Sequence, residues 1–294
     1  MSDNDRLVKG LGYALSAFLL WGLAPVYFKL VASVSAFEVL AHRVVWSVVI
    51  LAVVVQFQGG WQALRALDRN TLKQLFFSSI FVSLNWLVFI WAVGQGRVLE
   101  TSLGYFINPL ITVLFGVVFL NETLRKWQVL AICLAFLGVS NQVVQLGYLP
   151  WVALALALSF ASYGLMRKSI DIQPVQGLFV ETVLLLPAAL FYLAWLGYQD
   201  ELVFGSLSLS MDGILIASGF MTTIPLLFFA AGARRLSLTV IGIVQYITPS
   251  ITFFLAVFLY GESFSLAQLV SFVLIWLGLL VFTLEGGWVR RMAR

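Results

Sequence analysis

The length, composition and charge of this chain exclude most classes of protein. Of its 294 residues 62% are hydrophobic and 10% are charged, with a formal net charge of +4, whereas a soluble domain is about half apolar and about a quarter charged. A soluble globular protein, a disordered chain, a disulfide scaffold and a nucleic-acid binder are therefore excluded. The single cysteine, Cys133, can form no internal disulfide.

The predicted elements are ten apolar runs. A helix needs ~20 mostly apolar residues to cross ~30 Å of hydrocarbon, and each run is close to that length. They cover residues 11–30, 39–57, 74–93, 101–120, 127–145, 151–166, 177–196, 213–232, 238–259 and 266–284. The connections between them are too short to hold a soluble domain. The first run is too long for the apolar core of a signal peptide, and it lacks a small-x-small cleavage site. We therefore expect it to be retained as a helix.

The basic residues predict the orientation of these spans, because loops that stay in the cytoplasm carry an excess of Lys and Arg. Only Lys29, Arg43 and Arg97 lie on the side opposite the amino terminus. Fourteen of the 17 Lys and Arg residues lie on the amino-terminal side: Arg6, Lys9, Arg65, Arg69, Lys73, Arg125, Lys126, Arg167, Lys168, Arg234, Arg235, Arg290, Arg291 and Arg294. This distribution predicts an even number of spans with both termini in the cytoplasm.

The chain also contains an internal repeat with an offset of 140 residues. Ile107, Pro109, Ile111, Thr112, Val117, Glu122, Gln128, Leu134, Leu137 and Gly138 recur without a gap as Ile247, Pro249, Ile251, Thr252, Val257, Glu262, Gln268, Leu274, Leu277 and Gly278. Each copy holds five spans, so the second must enter the membrane from the opposite side. We expect an all-α integral membrane protein of ten transmembrane helices, formed by two inverted five-helix repeats over residues 1–147 and 148–294. Inverted repeats are common in secondary transporters, whose substrate site lies at mid-membrane between the halves.

Polar or helix-breaking residues lie near the middle of four spans. At ~1.5 Å per residue they are ~16 Å into the third span, ~12 Å into the fourth, ~15 Å into the eighth and ~16 Å into the ninth. The two repeated prolines remove backbone hydrogen bonds and free the carbonyl groups of Tyr105 and Gln245. Paired interruptions of this kind indicate a transporter site. The alternative is that the polar groups only join helices, which membrane proteins commonly use them to do.

Aromatic side chains near the same depth suit an amphiphilic or aromatic substrate. The candidates for substrate binding are Trp21, Asn85, Trp86, Tyr105, Asn108, Pro109, Tyr163, Thr222, Gln245, Tyr246 and Thr248.

Ionisable residues close to the membrane form a second group of candidates. Glu38, His42 and Arg43 cluster at the start of the second span, and Glu181 lies a little over one turn into the seventh. A carboxylate or imidazole near a low dielectric can titrate near neutral pH, so the hypothesis is a proton-responsive coupling or gating site. The alternative is an ion-pair cluster that anchors the helix at the interface. Glu122 and Glu262, at helix ends, are expected to act in turns and helix caps.

The sequence resembles the EamA-domain members of the drug/metabolite transporter superfamily, in particular the RarD-type permeases. The resemblance covers essentially the whole chain and is most specific at Ser102-Leu103-Gly104-Tyr105-Phe106-Ile107-Asn108-Pro109. It also includes Trp21-Gly22-Leu23-Ala24-Pro25, Tyr27-Phe28-Lys29, Glu38 with His42-Arg43, Asn85-Trp86, Trp91-Ala92-Val93 and Gln245-Tyr246. The family implies a bacterial inner-membrane permease whose cavity is lined by the first, third, fourth, sixth, eighth and ninth helices. Its association with chloramphenicol sensitivity implies a chloramphenicol-like drug as one substrate.

We therefore expect a secondary active exporter of a small amphiphilic metabolite or drug, working by alternating access. Its expected partners are that substrate, a coupling proton and membrane lipid, with no cofactor, metal or nucleic acid. The oligomeric state stays open. A passive channel or facilitator could use the same cavity. An intramembrane enzyme is the weaker alternative, because the chain has one His, one Cys and no HExxH motif.

Overall fold

The structure is a computed structural model that describes residues 3–95, 97–259, 261 and 265–292. Within those ranges all regular secondary structure is helical. The helices are α1 (Asp3–Leu30), α2 (Ala36–Phe57), α3 (Trp61–Arg65), α4 (Arg69–Gly94), α5 (Val98–Leu120), α6 (Lys126–Leu146), α7 (Trp151–Ser169), α8 (Pro174–Tyr198), α9 (Leu209–Ala233), α10 (Leu238–Gln245), α11 (Ile247–Phe254) and α12 (Leu266–Met292), with a π-helical turn over Leu255–Leu259.

Nine helical segments of the described chain are long and apolar enough to cross a membrane. They coincide with nine of the ten predicted spans, and α10, α11 and the π-helical turn together form one of them, Leu238–Leu259. The remaining predicted span, 151–166, forms α7, whose last turn carries Arg167 and Lys168. These charges leave α7 with fewer than the ~20 apolar residues that a full crossing requires. The chain is thus a multi-pass membrane protein.

Contacts between distant segments identify the two ends of the helical bundle. We call the end at which α1 begins the basic end. There the ammonium group of Lys168 donates to the carbonyl oxygens of Ala233 and Leu236, and Arg6 donates to the Arg234 carbonyl oxygen at 3.1 Å. At the opposite end Tyr27, late in α1, donates to the Ile214 carbonyl oxygen in the early part of α9, at 3.1 Å. α1 and α9 therefore run antiparallel.

The helix contacts follow a two-fold pattern. Exchanging the five helices α1, α2, α4, α5 and α6 for α7, α8, α9, α10–α11 and α12 maps the principal contacts onto one another. The α1–α9 contact corresponds to α7–α4, and the α5–α7 contact corresponds to α11–α1. The α2–α8, α5–α10 and α6–α12 contacts each correspond to themselves.

The α6–α12 contact shows this reciprocity at the level of atoms. A Cβ atom on Gly138 would lie 2.7 Å from the Ser271 carbonyl oxygen, and one on Gly278 would lie 2.7 Å from the Ala131 carbonyl oxygen. The two glycines, and likewise Ala131 and Ser271, are repeat equivalents. Asn141 adds a hydrogen bond from its amide to the Ala267 carbonyl oxygen at 2.9 Å. The glycines recur because both helix backbones must approach closely at this crossing.

The two helices that carry the repeated prolines differ in shape. The sequence predicts an interruption in both, yet α5 runs unbroken through Pro109. In the equivalent span α10 ends at Gln245 and α11 begins at Ile247, but Tyr246 between them keeps helical dihedral angles (φ −62°, ψ −13°). Because Pro249 has no N–H group, the Gln245 carbonyl oxygen has no partner within the helix. The two spans therefore differ by a local irregularity at Tyr246, and both remain helical through the repeated proline.

Candidate functional site

Arg43 joins four of the helices that the repeats bring together. Its Nε donates to the Thr222 hydroxyl oxygen of α9 at 2.8 Å. The guanidinium carbon lies 5.1 Å from the centre of the Trp86 ring of α4 and 5.9 Å from that of the Phe28 ring of α1. The phenols of Tyr27 and Tyr105 are within electrostatic range of the guanidinium. Three predicted site residues on α4, α5 and α9 therefore surround Arg43.

Tyr105 keeps exposed surface on a helix face that is otherwise buried. It shares this face with Thr101, Asn108 and Thr112, because positions three, four and seven residues apart lie on one side of a helix. Those three residues are only 3–4% exposed, whereas Tyr105 is 46% exposed. The Tyr105 ring lies 6.2 Å from that of Phe89. We call the region bounded by the partly exposed side chains of Phe28, Arg43, Trp86 and Tyr105 the hollow.

An aromatic cluster lies around Trp21 and Tyr163, the candidates from the first helix of each half. Trp21 packs edge-on against Phe160, with ring centres 5.5 Å apart, and lies 5.8 Å from Phe229. Tyr163 stacks on Phe229 at 5.9 Å and is fully buried. We call Phe18, Trp21, Phe160, Tyr163 and Phe229 the aromatic cluster. In this conformation Tyr163 is therefore packed within protein and does not border the hollow.

Two of the predicted polar residues join helices. The Asn85 amide donates to the Leu156 carbonyl oxygen at 2.9 Å and to the Ser159 hydroxyl oxygen at 3.0 Å, linking α4 to α7. The Thr248 hydroxyl donates to the Phe18 carbonyl oxygen at 2.9 Å, linking α11 to α1. Asn108 is buried and accepts a hydrogen bond from Thr112 on its own helix. These geometries agree with the alternative reading, in which polar groups hold helices together.

The remaining candidates lie where α5 crosses α10. The Tyr246 hydroxyl donates to the Phe106 carbonyl oxygen at 3.2 Å, and these two residues are repeat equivalents. A Cβ atom on Gly242 would lie 2.7 Å from the Pro109 carbonyl oxygen, so the two backbones nearly touch. Gln245 is buried, and its Oε1 has no hydrogen-bond partner in the described part of the chain. The irregular turn at Tyr246 thus lies next to the buried Gln245 Oε1, which has no described partner.

Glu38 and His42 fasten α2 to the loop before α9. Glu38 Oε1 accepts hydrogen bonds from the backbone N–H groups of Val203 and Phe204, at 2.9 and 3.2 Å. His42 Nε2 lies 3.8 Å from the same carboxylate oxygen, and the imidazole packs against the Phe204 ring at 4.9 Å. These contacts agree with the alternative in which Glu38 anchors its helix. No described residue accepts or donates a hydrogen bond at the His42 ring.

Glu181 belongs to a buried polar cluster near the basic end. It lies 3.6 Å from Arg167 Nη1, and both side chains are 1% exposed. The Ser78 hydroxyl donates to Glu181 Oε1 at 2.5 Å, and Tyr163 donates to Oε2 at 3.5 Å. A side chain at Gly177 would overlap the Arg167 guanidinium, so the glycine makes room for the charge. The cluster links α4, α7 and α8.

A second carboxylate, Glu122, holds the basic end together. It accepts hydrogen bonds from the N–H groups of Leu238 and Thr239 at 2.6 and 2.9 Å, and from the Thr239 hydroxyl at 2.7 Å. These groups open α10, so Glu122 caps a helix of the other half of the chain. Its repeat equivalent Glu262 lies outside the described residues.

Several predicted residues have partners that the sequence did not indicate. Arg167 was assigned only to the basic loops that set the membrane orientation, yet it pairs with Glu181. Phe229 was not a candidate, yet it lies at the centre of the aromatic cluster. Phe28 was quoted only as part of a motif. A signal was present for Arg167, since it lies within the last turn of a short helix. Among the described residues no group of three His, Cys, Asp or Glu side chains could hold a metal ion.

Comparison with known proteins identifies the family. The model of the EamA-like transporter family matches the chain twice, over residues 8–141 and 149–284. An uncharacterized transporter of Vibrio cholerae is 43% identical over 99% of this chain and 98% of its own length. The RarD protein of Escherichia coli is 42% identical over 98% of each chain. The chloramphenicol-sensitive protein RarD of Pseudomonas aeruginosa is 32% identical over 93% of each.

A solved crystal structure has the same fold. It superposes with a TM-score of 0.72 over 97% of this chain and 99% of that chain, at 19% identity. The fold and the relatives agree with the resemblance that the motifs indicate. The chain belongs to the EamA-like transporter family and is a membrane transporter of the drug/metabolite type, similar to RarD permeases along its whole length.

Proposed function

We propose that this protein is a secondary active exporter that moves a small amphiphilic metabolite or drug across the bacterial inner membrane by alternating access. The observation that carries the proposal is the hollow, where the charged Arg43 side chain keeps exposed surface among aromatic rings inside an apolar bundle. A transporter of amphiphiles needs a polar and aromatic site between its two halves. We further propose that α7, which packs against α4 and α5 within the bundle, is the tenth span despite its shorter apolar run, so that both termini and the basic end lie on the cytoplasmic side.

Three observations support two inverted repeats over residues 1–147 and 148–294. The family model matches each half separately. The helix contacts are conserved when the two halves are exchanged. The crossing of Gly138 and Gly278 is reciprocal, with each glycine against the other helix's backbone. A pseudo-two-fold axis in the membrane plane relates two halves that can exchange conformations, which is the motion that alternating access requires.

The conformation described here is proposed to face outward. Glu122, Lys168 and Arg6 tie separate helices together at the basic end. The aromatic cluster then separates the hollow from the buried Glu181–Arg167 pair. Tyr105 and Arg43, by contrast, lie in the half of the bundle nearer the opposite end, and both retain exposed surface. The reverse state would release the basic end and close the hollow from outside.

The substrate is proposed to contact Trp86 and Tyr105 within the hollow, with the other predicted binding residues holding the surrounding helices in place. A relative in Pseudomonas aeruginosa is named for chloramphenicol sensitivity, which makes chloramphenicol the first compound to test. A coupling proton is proposed at His42 or Glu181. Transport measured against imposed pH gradients in His42→Ala and Glu181→Gln proteins tests this part, and unchanged coupling in both variants would remove it.

Inside-out membrane vesicles test the proposed export directly. On energisation we expect the wild-type protein to accumulate radiolabelled chloramphenicol in the vesicle lumen above its external concentration, and a folded Tyr105→Ala variant to lose most of that uptake. Phe136→Ala is the matched control, because Phe136 is 59% exposed on α6 and contacts no proposed site residue. Equilibration without accumulation would identify a facilitator, and uptake unaffected by Tyr105→Ala would contradict the placement of the site.

A further inference from the structure

The hollow contains a positive charge that has no acidic partner. The ion pairs of the described chain have N–O distances of 3.8 Å or less, as between Arg167 and Glu181, and Arg43 is in none of them. Among the described residues, the ionisable groups in electrostatic range of its guanidinium are the phenols of Tyr27 and Tyr105. The described contacts of Arg43 are therefore with a hydroxyl and with aromatic rings.

This arrangement leaves most of the guanidinium donors free. An arginine carries five N–H donors in a fixed planar fork and stays protonated in proteins. One of them, on Nε, bonds to Thr222, whereas the terminal nitrogens have no described acceptor. Arg43 is partly exposed beside Tyr105, so these donors are accessible from the hollow. A charged side chain within a membrane span is costly, and ionisable residues kept there usually serve a functional site.

The side chains that border the hollow indicate which kind of ligand they would bind. A guanidinium fork matches a carboxylate with two parallel hydrogen bonds. The rings of Trp86 and Tyr105 beside it offer faces for an aromatic or apolar body. We propose that the preferred substrate is an anionic amphiphile, an organic carboxylate with an aromatic or apolar body that is bound more tightly than a neutral drug, and that Arg43 binds its carboxylate. This inference rests on the proposed transport function and specifies the substrate class of the same hollow.

Thr222 has a positioning role in this scheme. Its hydroxyl accepts the Nε proton of Arg43 and in turn donates to the Ser218 carbonyl oxygen at 2.9 Å. The chain of hydrogen bonds fixes the guanidinium relative to α9. The two terminal nitrogens are thereby kept free for a ligand. A change in the relative position of α2 and α9 would therefore move the binding group itself.

A matched pair of probes tests the inference. Indole-3-acetate and indole-3-acetamide share one ring system. They differ in the terminal group, which is an anionic carboxylate in the first and a neutral carboxamide in the second. In purified protein in lipid nanodiscs we expect indole-3-acetate to bind about 10- to 100-fold more tightly than the amide, the range of a charge-assisted hydrogen bond. Isothermal titration gives both dissociation constants. Equal binding of the two probes to the wild-type protein would overturn the inference whatever any variant does.

Variants then assign the preference to Arg43. Arg43→Gln should reduce the ratio of the two dissociation constants to within about twofold, and Arg43→Lys should restore part of it. Thr222→Val should weaken the binding of indole-3-acetate more than that of the amide, because it loosens the guanidinium that binds the carboxylate. Arg97→Gln is the control, because Arg97 is paired with Glu100 and stacks on Trp91. If Arg43→Gln weakened both probes equally, Arg43 would be a gating residue and the inference would fail.

The experiment separates this inference from the proposed function. Accumulation of chloramphenicol in vesicles, with no preference for the carboxylate probe, would leave an exporter with a neutral substrate and would overturn the anionic class. If neither probe binds while chloramphenicol is still exported, the anionic class is likewise overturned. Absence of both probe binding and drug export would contradict the proposed function itself.

Discussion

The two ends of the bundle differ in how they are held closed. At the basic end charged side chains reach backbone groups or opposite charges on other helices: Glu122 at α10, Lys168 at the α9–α10 link and Glu181 at Arg167. At the opposite end Glu38 likewise binds backbone N–H groups of the loop before α9, but nearby Arg43 has no carboxylate partner among the described residues and Tyr105 is 46% exposed.

The two repeats therefore correspond in their helix contacts but differ in detail. α5 is regular at Pro109, whereas the equivalent span is irregular at Tyr246. In the proposed transport cycle such differences between the halves decide which end is open, so we expect changes at either end to shift that equilibrium.

The largest expected effect follows from breaking the buried ion pair at the basic end. Glu181→Gln leaves Arg167 charged and unpaired at 1% exposure, which should lower the free energy of unfolding by about 3–5 kcal/mol. Reversible unfolding in mixed micelles measures this change. The double variant Arg167→Met/Glu181→Gln should recover most of the loss, because it removes both charges. Equal stability of the single and double variants would contradict the pairing.

The next effect comes from releasing the start of α10. Glu122→Ala removes three hydrogen bonds to Leu238 and Thr239 and should lower the unfolding free energy by about 3 kcal/mol. Amide hydrogen exchange of residues 237–242 should become at least about tenfold faster. Gln145→Ala is the control, since Gln145 is exposed and bonds only within α6. Unchanged exchange at α10 would show that Glu122 does not hold the basic end.

A smaller effect tests the symmetry itself. Gly138→Ala and Gly278→Ala each place a Cβ atom 2.7 Å from a backbone oxygen of the facing helix, so each should cost about 1–3 kcal/mol. Reciprocity predicts that the two costs agree within about 0.5 kcal/mol. Gly12→Ala, where no atom lies within 4 Å of the new Cβ, should be neutral in the same unfolding measurement. Clearly unequal costs would argue against a reciprocal crossing.

The smallest effect concerns the hydrogen bond between the two repeat-equivalent positions near the axis. Tyr246→Phe removes the hydroxyl that donates to the Phe106 carbonyl oxygen and should cost about 1 kcal/mol. This bond joins α5 to the irregular turn between α10 and α11. Its loss should therefore also change the rate at which a maleimide labels a cysteine introduced in the hollow. Phe253→Leu, which changes packing in the same apolar cluster, serves as control. An unchanged labelling rate would confine Tyr246 to a purely local role.

Much of the architecture was predictable because hydropathy and charge act residue by residue. Nine predicted spans coincide with helical segments of sufficient length, and Gly138 and Gly278, which the sequence repeat pairs, each lie against a backbone oxygen of the facing helix. Gln128 and Gln268 recur because each accepts a hydrogen bond from the backbone N–H that opens its helix. Such local patterns are visible in the sequence alone.

The site was only partly predictable because its contacts are non-local. Trp86 and Thr222 were chosen for their depth, Tyr105 for its aromatic ring and Arg43 as an ionisable residue near the membrane, and the structure brings the four together. Their partners could not be derived, since rotation of each helix about its axis decides which side chains meet. The irregular turn at Tyr246 could not be derived either, because Pro109 and Pro249 share one local pattern.

The most direct test of alternating access is the accessibility of one residue from both sides of the membrane. Phe28→Cys, at the edge of the hollow, is placed in a Cys133→Ala background, since native Cys133 is exposed, and labelled with a membrane-impermeant maleimide in whole cells and in inside-out vesicles. The account predicts fast labelling from the outer side, and labelling from the cytoplasmic side only when transported substrate is present. Equal rates from both sides without substrate, or protection from both, would contradict it.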